Sequence, residues 1–202
     1  MIDRNYELVI FDWDGTLSDS VSRIAKCMQS TAIEHQLPVP SYDQASNIIG
    51  LGLSEAIKSL FPPADKEFID ILSKTYSNHY RQISQGPSCF FPHVLAVLRS
   101  IKDSNNLIAV ATGKSQAGLQ RELKASGLQG FFDATRCADQ TASKPDPLML
   151  EQLLDQFKLN ASQAIMVGDT EYDMEMAAKV NMPRLAVSYG AHSADRLLKY
   201  QP

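Results

Sequence analysis

The sequence predicts an α/β protein, in which a doubly wound parallel sheet carries an all-α cap inserted after the first strand. Two observations lead to this fold class. Short apolar runs alternate with segments of helical character from about residue 107 onward, and such alternation is typical of parallel βα units. Between the first apolar run and residue 85, only helical segments occur. The sheet therefore contains an insertion near its start.

Five segments are predicted to be strands because they are short, apolar and bounded by turn residues. They are "ELVIF" (7–11), "LIAVAT" (107–112), the weaker "ATRCAD" (134–139), "AIMVGD" (164–169) and "RLAVSY" (184–189). Helical segments separate the last four of them. These are "SQAGLQRELKASG" (115–127), "DPLMLEQLLDQFK" (146–158) and "EYDMEMAAKVN" (171–181).

Three further helices are predicted within the insertion, with prolines between them. They are "SVSRIAKCMQSTAIEHQ" (20–36), "LSEAIKSLF" (53–61) and "ADKEFIDILSKTYSNHYRQIS" (64–84). We expect the sheet to resume near Phe90. The predicted domains are an α/β core, residues 1–17 and 86–202, and a helical-bundle cap, residues 18–85.

Composition limits the classes of function. The chain has 202 residues, 44% of them hydrophobic, and a net charge of −4, which predicts a globular protein without a nucleic-acid partner. Its three cysteines have no metal-ligand spacing and indicate buried thiols in a reducing compartment. The N-terminus does not resemble a signal peptide, and no apolar run approaches the roughly 20 residues that span a bilayer. We expect a cytoplasmic protein without a membrane partner, either a monomer or a weak dimer.

Polar residues follow the predicted strands, at the edge where open parallel sheets bind ligands. They are Asp12, Asp14, Thr112, Gly113, Asp169 and Asp173, with Lys144 ahead of a helix. Several carboxylates at close range would force protons onto one another unless a cation intervened. Oxygen ligands and a shared phosphate suit Mg²⁺. Asp173 taken alone is as well explained as a helix-capping acid, but the whole set predicts a Mg²⁺ and phosphate site.

Four of these segments resemble the ordered motifs of one family. The segments "DWDGT" (12–16), "AT" (111–112), "SKP" (143–145) and "GDTEYD" (168–173) are similar to the four motifs of the haloacid dehalogenase superfamily of phosphohydrolases. The resemblance covers essentially the whole chain. It is greatest to the phosphoglycolate-phosphatase-like branch, which has a Rossmann-like core and a helical cap. Order and spacing make the set more specific than any one motif.

The resemblance implies a role for each site residue. Asp12 would be the nucleophile that takes the phosphoryl group, and Asp14 would protonate the leaving alcohol and then activate water. Thr112, the N–H of Gly113 and Lys144 would bind and balance the phosphoryl group.

The resemblance also implies the metal ligands. Mg²⁺ would be held by Asp12, the backbone carbonyl of Asp14 and Asp169, with Asp173 holding a metal-bound water or Lys144. Dehalogenases of the superfamily lack an acid at the position of Asp14, so its presence selects phosphatases and phosphomutases.

Two positions depart from the family pattern. Trp13 stands where an aliphatic residue is usual, and we interpret it as core packing. His93 stands where many relatives have glycine, and we interpret it as a partly exposed loop residue, although a substrate contact or a pH-sensitive group is an alternative.

The cap is expected to close over the site. Residues 47–57 resemble the cap loop of phosphoglycolate-type phosphatases, in which Gly50 and Gly52 would allow close backbone approach; a plain turn is the alternative. Three basic cap residues could meet an anionic group, but each is more simply a solvated helix residue. They are Lys58, Lys74 and Arg81.

Three functions remain open on the sequence. The first is a Mg²⁺-dependent phosphatase acting on a small phosphorylated metabolite such as phosphoglycolate. The second is a phosphomutase with the same core acting on a sugar phosphate. The third, from another class, is a phospho-aspartate signalling module like a receiver domain, which would have its acceptor in the middle strands but no helical insertion after the first strand.

Overall fold

A parallel sheet forms the centre of the protein, as predicted. The structure, a computed structural model, describes residues 6–83 and 89–202. Within these residues five strands pair in the order β3-β2-β1-β4-β5, all parallel. They are β1 Leu8–Phe11, β2 Leu107–Thr112, β3 Ala134–Cys137, β4 Ala164–Gly168 and β5 Arg184–Ala186. The first strand is central, so the chain winds outward in both directions from it.

Helices cover both faces of the sheet. On one face lie α5 Val94–Asp103 and α6 Gln116–Ala125, and on the other α7 Leu148–Phe157 and α8 Glu171–Lys179, with the short α9 Ala194–Leu198 beside α8. Alternate residues of each strand point to opposite faces. Leu8 and Ile10 accordingly pack with α7 and α8, whereas Phe11 packs with α5 and α6.

Helices without intervening strands follow β1, as predicted for the cap. They are α1 Val21–Glu34, α2 Tyr42–Asn47, α3 Leu53–Leu60 and α4 Lys66–Ile83. Their apolar faces form a hydrophobic cluster of their own, separate from the two that flank the sheet. The division into core and cap stays a prediction, and its second boundary, between residues 85 and 86, lies outside the described residues.

The prediction that the sheet resumes near Phe90 is wrong. Phe90 makes only an isolated antiparallel bridge with Ser18, and the next strand of the sheet begins at Leu107 after α5. The bridge is reinforced by backbone hydrogen bonds from Asp19 to Cys89 and from Phe91 to Leu17. The two chain segments that join cap and core thus run side by side.

The structure places Trp13 in the core and His93 on the surface. Trp13 is fully buried, and its ring makes edge-to-face contacts with Phe90 and Phe132, which confirms the core-packing interpretation. His93 is exposed and begins α5 with a left-handed φ of 68°, a conformation that glycine adopts without strain. Among residues 6–83 and 89–202, no helix has both the length and the apolar character needed to cross a bilayer.

Candidate active site

Three carboxylates and a lysine meet at the carboxyl end of the sheet. Asp12 follows β1, Asp169 follows β4, and Asp173 lies in the first turn of α8. The Nζ atom of Lys144 lies 2.5 Å from Oδ1 of Asp12 and 2.6 Å from Oδ1 of Asp173. All four side chains are buried. The structure therefore brings together four of the residues that the strand-end argument selected.

The charges of this group do not balance by themselves. Three carboxylates face one ammonium group, so two negative charges remain uncompensated when all are ionised. Burial raises the pKa of Asp12 despite Lys144, and burial together with Asp173 raises that of Asp169 to about 7. Burial acts to lower the pKa of Lys144, but Asp12 and Asp173 outweigh it and hold this pKa above its usual range. A dication would supply the missing charge.

The donor set fits a hard divalent cation. One carboxylate oxygen each from Asp12, Asp169 and Asp173 lie within 4.8 Å of one another. Within the described part of the chain, Oδ2 of Asp12 is buried and has no hydrogen-bond partner. A buried carboxylate oxygen without a partner is costly, and a metal ion would satisfy it. Oxygen-only donors are the ligands that Mg²⁺ prefers.

Asp169 is held from both sides. Thr16 Oγ1 donates to its Oδ1 at 2.7 Å, and the Ala191 N–H donates to its Oδ2 at 2.7 Å. A Cβ atom on Gly15 or Gly190 would lie 2.2 Å from Oδ2 of Asp169, so only glycine fits at these two positions. The glycine and threonine of "DWDGT" therefore position the acid that follows β4.

Asp173 serves both as a helix cap and as a site residue. Its Oδ2 accepts hydrogen bonds from the N–H and the hydroxyl of Thr170 at 3.1 and 2.7 Å, in a capping box at the start of α8. Its Oδ1 is left to receive Lys144. The capping interpretation is confirmed, and the contact with Lys144 is compatible with the predicted functional role, which stays a prediction.

The side chain of Asp14 stands apart from the three buried carboxylates. Its Oδ1 accepts from Ser20 Oγ at 2.6 Å and lies 3.0 Å from the ammonium of Lys114. Lys114 also donates to the Tyr80 hydroxyl at 3.2 Å, and Tyr80 in turn donates to Oε1 of Glu122 at 3.1 Å. These contacts of Asp14 were not predicted from the sequence. Lys114 comes two residues after the end of β2, so the strand-end rule could have selected it. Tyr80 comes from α4 and had no local signal.

A cavity of about 690 Å³ lies between cap and core and ends at Asp12 and Asp14. This volume is within the usual range for small-molecule sites. Of the predicted cap cations, Arg81 lines the cavity; Lys58 pairs with Glu55 on the surface at 2.7 Å, and Lys74 is exposed. Arg23 on α1 also lines the cavity, although the sequence analysis did not select it.

The cap loop is in contact with the core. Residues 50–52 lie against Gly113, where a Cβ atom would meet the carbonyl oxygens of Leu51 and Gly50 at 2.4 and 2.6 Å. The Gly52 N–H donates to Ser143 Oγ at 2.8 Å. Thr112, just before Gly113, is fully buried, and its hydroxyl accepts from the Lys114 N–H at 3.2 Å. The predicted close approach at Gly52 therefore occurs, but its partner is the core.

Asn47, at the end of α2, joins cap and core at a second point. Its carbonyl oxygen accepts from the Tyr172 hydroxyl at 2.9 Å and from Nε2 of His192 at 3.2 Å, and its amide oxygen accepts from Arg196. His192 Nδ1 accepts from the Glu171 N–H, so Nε2 carries the proton. Burial lowers the pKa of His192, which favours this neutral form.

Gly113→Ala is expected to displace the cap loop, because the added methyl group would overlap two backbone oxygens of the cap. Displacements of about 1 Å near a reacting group can cost up to a hundredfold in rate; we expect kcat/KM for a phosphomonoester to fall at least about tenfold. Faster amide hydrogen exchange in α3 would accompany this loss. Gly118→Ala in α6 is the control, because its methyl group would meet only side-chain atoms, the nearest at 3.2 Å. Unchanged exchange and kinetics in Gly113→Ala would show that the contact is unimportant.

Comparison with known proteins gives consistent matches. Residues 9–187 match the family model described as "Haloacid dehalogenase-like hydrolase". The "Probable phosphatase IndB" of Dickeya dadantii is 32% identical over 96% of this chain and 86% of its own length. The "Phosphoglycolate phosphatase" of Agrobacterium fabrum is 29% identical over 91% of this chain and 81% of its own.

A solved structure agrees with the fold. The haloacid dehalogenase-like family hydrolase of Streptococcus pneumoniae superimposes with a TM-score of 0.82 at 26% identity. The match covers 98% of this chain and 92% of the other. The predicted fold class, a Rossmann-like α/β core with a helical cap after its first strand, is confirmed.

Proposed function

Because this chain belongs to the haloacid dehalogenase-like hydrolase family, we propose that it is a Mg²⁺-dependent phosphatase acting on a small phosphomonoester through an aspartyl phosphate on Asp12. Membership of this family, together with relatives that are named phosphatases, identifies the chain as a phosphoric monoester hydrolase. One observation carries the finer proposal. Asp12 lines the cavity, and Lys144 holds one of its carboxylate oxygens while the other is buried without a partner among the described residues.

Asp12 is the proposed nucleophile. Its carboxylate is fixed at the end of the central strand and held by Lys144. An oxygen of Asp12 forms a bond to phosphorus as the ester P–O bond breaks, and Asp14 gives its proton to the leaving oxygen. Water then attacks phosphorus, Asp14 takes the proton back, and phosphate is released from Asp12.

The remaining site residues bind and stabilise the phosphoryl group. The hydroxyl of Thr112 and the N–H of Gly113 donate to its oxygens, and Lys144 compensates its charge. Asp12, Asp169 and the backbone carbonyl of Asp14 would hold Mg²⁺, which would supply the positive charge that the three buried carboxylates lack. Asp173 keeps Lys144 in place.

Phosphoglycolate is the proposed first substrate to test. The Agrobacterium relative is named a phosphoglycolate phosphatase. The cavity is lined by Lys114, Arg23 and Arg81, which could contact the carboxylate of this substrate. No observation here favours the phosphomutase. The helical insertion after β1 argues against a receiver-like signalling module.

The test is phosphate release from a panel of phosphomonoesters, with Mg²⁺ and with EDTA. The panel contains phosphoglycolate, phosphoglycerates, sugar phosphates and p-nitrophenyl phosphate. We expect release in Mg²⁺ only, concentrated on one or two small esters. Equal release in EDTA would contradict the metal requirement. Absence of release from every ester, combined with phosphoryl exchange between sugar phosphates, would favour the phosphomutase.

A further inference from the structure

We propose that Tyr80 is a positioning residue that couples closure of the cap to the proton transfer made by Asp14; this inference rests on the proposed function. Tyr80 lies on the cap helix α4, whereas Asp14, Lys114 and Glu122 belong to the core. Its hydroxyl is thus the cap's contribution to a chain of contacts that ends at Asp14.

Lys114 lies between Tyr80 and Asp14 and is the donor to both. Glu122 accepts from the Tyr80 hydroxyl at 3.1 Å, which leaves the Tyr80 oxygen to accept from Lys114 at 3.2 Å. Lys114 then lies 3.0 Å from Oδ1 of Asp14. The Lys114 ammonium also sits over the Tyr80 ring, 4.6 Å from its centroid, an arrangement that adds a cation–π attraction.

Burial makes these contacts effective. The side chains of Lys114 and Asp14 are about one-tenth exposed, and Tyr80 and Glu122 are buried. Where burial excludes water, the local dielectric constant is low, so ionic hydrogen bonds are stronger and more strictly oriented than those on the surface. A lysine side chain has several rotatable bonds and needs a second contact to occupy one position. Tyr80 supplies that contact.

The arrangement fixes which oxygen of Asp14 meets the substrate. Ser20 and Lys114 both contact Oδ1, so the carboxyl group cannot rotate without losing two contacts. We assign Oδ2 to the leaving oxygen. When the cap moves away, the Tyr80 hydroxyl leaves with α4, and Lys114 loses one of the groups that hold it against Asp14.

This role predicts an effect that depends on the leaving group. Benzyl phosphate and p-nitrophenyl phosphate are similar in size, but only the first releases a weakly acidic alcohol that requires a proton. Tyr80→Phe keeps the ring and removes the hydroxyl. We expect kcat for benzyl phosphate to fall about tenfold, as for loss of one hydrogen bond to a charged group, and kcat for p-nitrophenyl phosphate to change less than about twofold.

A second variant tests whether Tyr80 acts through Lys114. In a Lys114→Met background, Tyr80→Phe should have no further effect on the ratio of the two kcat values, because residues acting in one chain are not additive. Tyr42→Phe is the matched control, since it removes an exposed cap hydroxyl outside the cavity. It should change neither rate.

The outcomes separate this inference from the proposed function. Wild-type enzyme that releases phosphate from both esters, with Tyr80→Phe selectively slow on benzyl phosphate, supports the coupling. Equal slowing on both esters, or a full effect of Tyr80→Phe in the Lys114→Met background, overturns it and leaves the phosphatase intact. A wild-type enzyme inactive on every phosphomonoester overturns both.

Discussion

Asp12→Asn is expected to reduce phosphate release at least about a thousandfold, while the protein remains folded. The amide keeps the shape of the side chain but is a poor nucleophile, and removal of a nucleophile ranks among the most costly changes in an active site. Lys144 keeps its second partner, Asp173, at 2.6 Å. Steady-state phosphate release at saturating Mg²⁺ and substrate measures the loss, and thermal unfolding checks the fold.

Asp146→Asn is the matched control for this change. Asp146 is an exposed aspartate whose Oδ1 accepts from the Leu148 N–H at 2.9 Å, and asparagine retains such an acceptor. The Asp146→Asn enzyme should release phosphate at the wild-type rate. A folded Asp12→Asn enzyme with more than about a tenth of wild-type turnover would rule out Asp12 as the nucleophile.

Lys144→Met is expected to be the most destabilising of these changes as well as inactivating. The methionine leaves Asp12 and Asp173 buried without the cation that now lies within 2.6 Å of each. Removing one partner of a buried ion pair typically costs about 3–5 kcal/mol, because the remaining charge is uncompensated. We expect a loss of this order in the free energy of unfolding measured with EDTA, and a smaller loss in Mg²⁺, since a bound dication stabilises the folded state.

Lys179→Met provides the comparison for this prediction. Lys179 is 42% exposed, pairs with Glu175 at 2.9 Å and donates to the Pro145 carbonyl oxygen at 2.9 Å, so its replacement should change stability by no more than about 1 kcal/mol. Urea unfolding of both variants, each with Mg²⁺ and with EDTA, gives the four values needed. Equal and small losses in the two variants would show that Lys144 does not compensate the buried carboxylates.

Local patterns carried enough information to predict the sheet. The strand segments are short apolar runs, and all five appear as strands, with "RLAVSY" shortened to Arg184–Ala186. The helix α5 Val94–Asp103 was not predicted, and it follows Phe90 and Phe91, near which the sheet was expected to resume. These rings instead pack near Trp13 and Tyr189. An apolar run alone does not show whether the segment pairs as a strand in a sheet or packs its side chains where the chain passes from cap to core.

The group of three buried carboxylates could be predicted because each member lies at a strand end or a helix start. Parallel strands place their carboxyl ends on one edge, so Asp12 and Asp169 had to approach each other once the sheet formed. Lys144 was selected because it stands just ahead of a predicted helix. The structure confirms that its side chain reaches both Asp12 and Asp173.

The surroundings of Asp14 could not be predicted in the same way. Tyr80 lies 66 residues along the chain from Asp14 and reaches Lys114 only because α4 packs over the core. Such contacts depend on how two packed units fit together, and no local pattern in sequence encodes that fit. The contacts of Asn47 could not be predicted either, because its partners Tyr172, His192 and Arg196 come from the C-terminal part of the core.

The central claim is that Asp12 carries the phosphoryl group during turnover. The most direct measurement is an acid quench of enzyme turning over a labelled phosphomonoester in Mg²⁺, followed by identification of the labelled peptide. We predict label on the peptide containing Asp12, its loss when unlabelled substrate is added before the quench, and its absence in Asp12→Asn. Steady release of phosphate with no label on Asp12, or with label on another residue, would contradict the proposed mechanism.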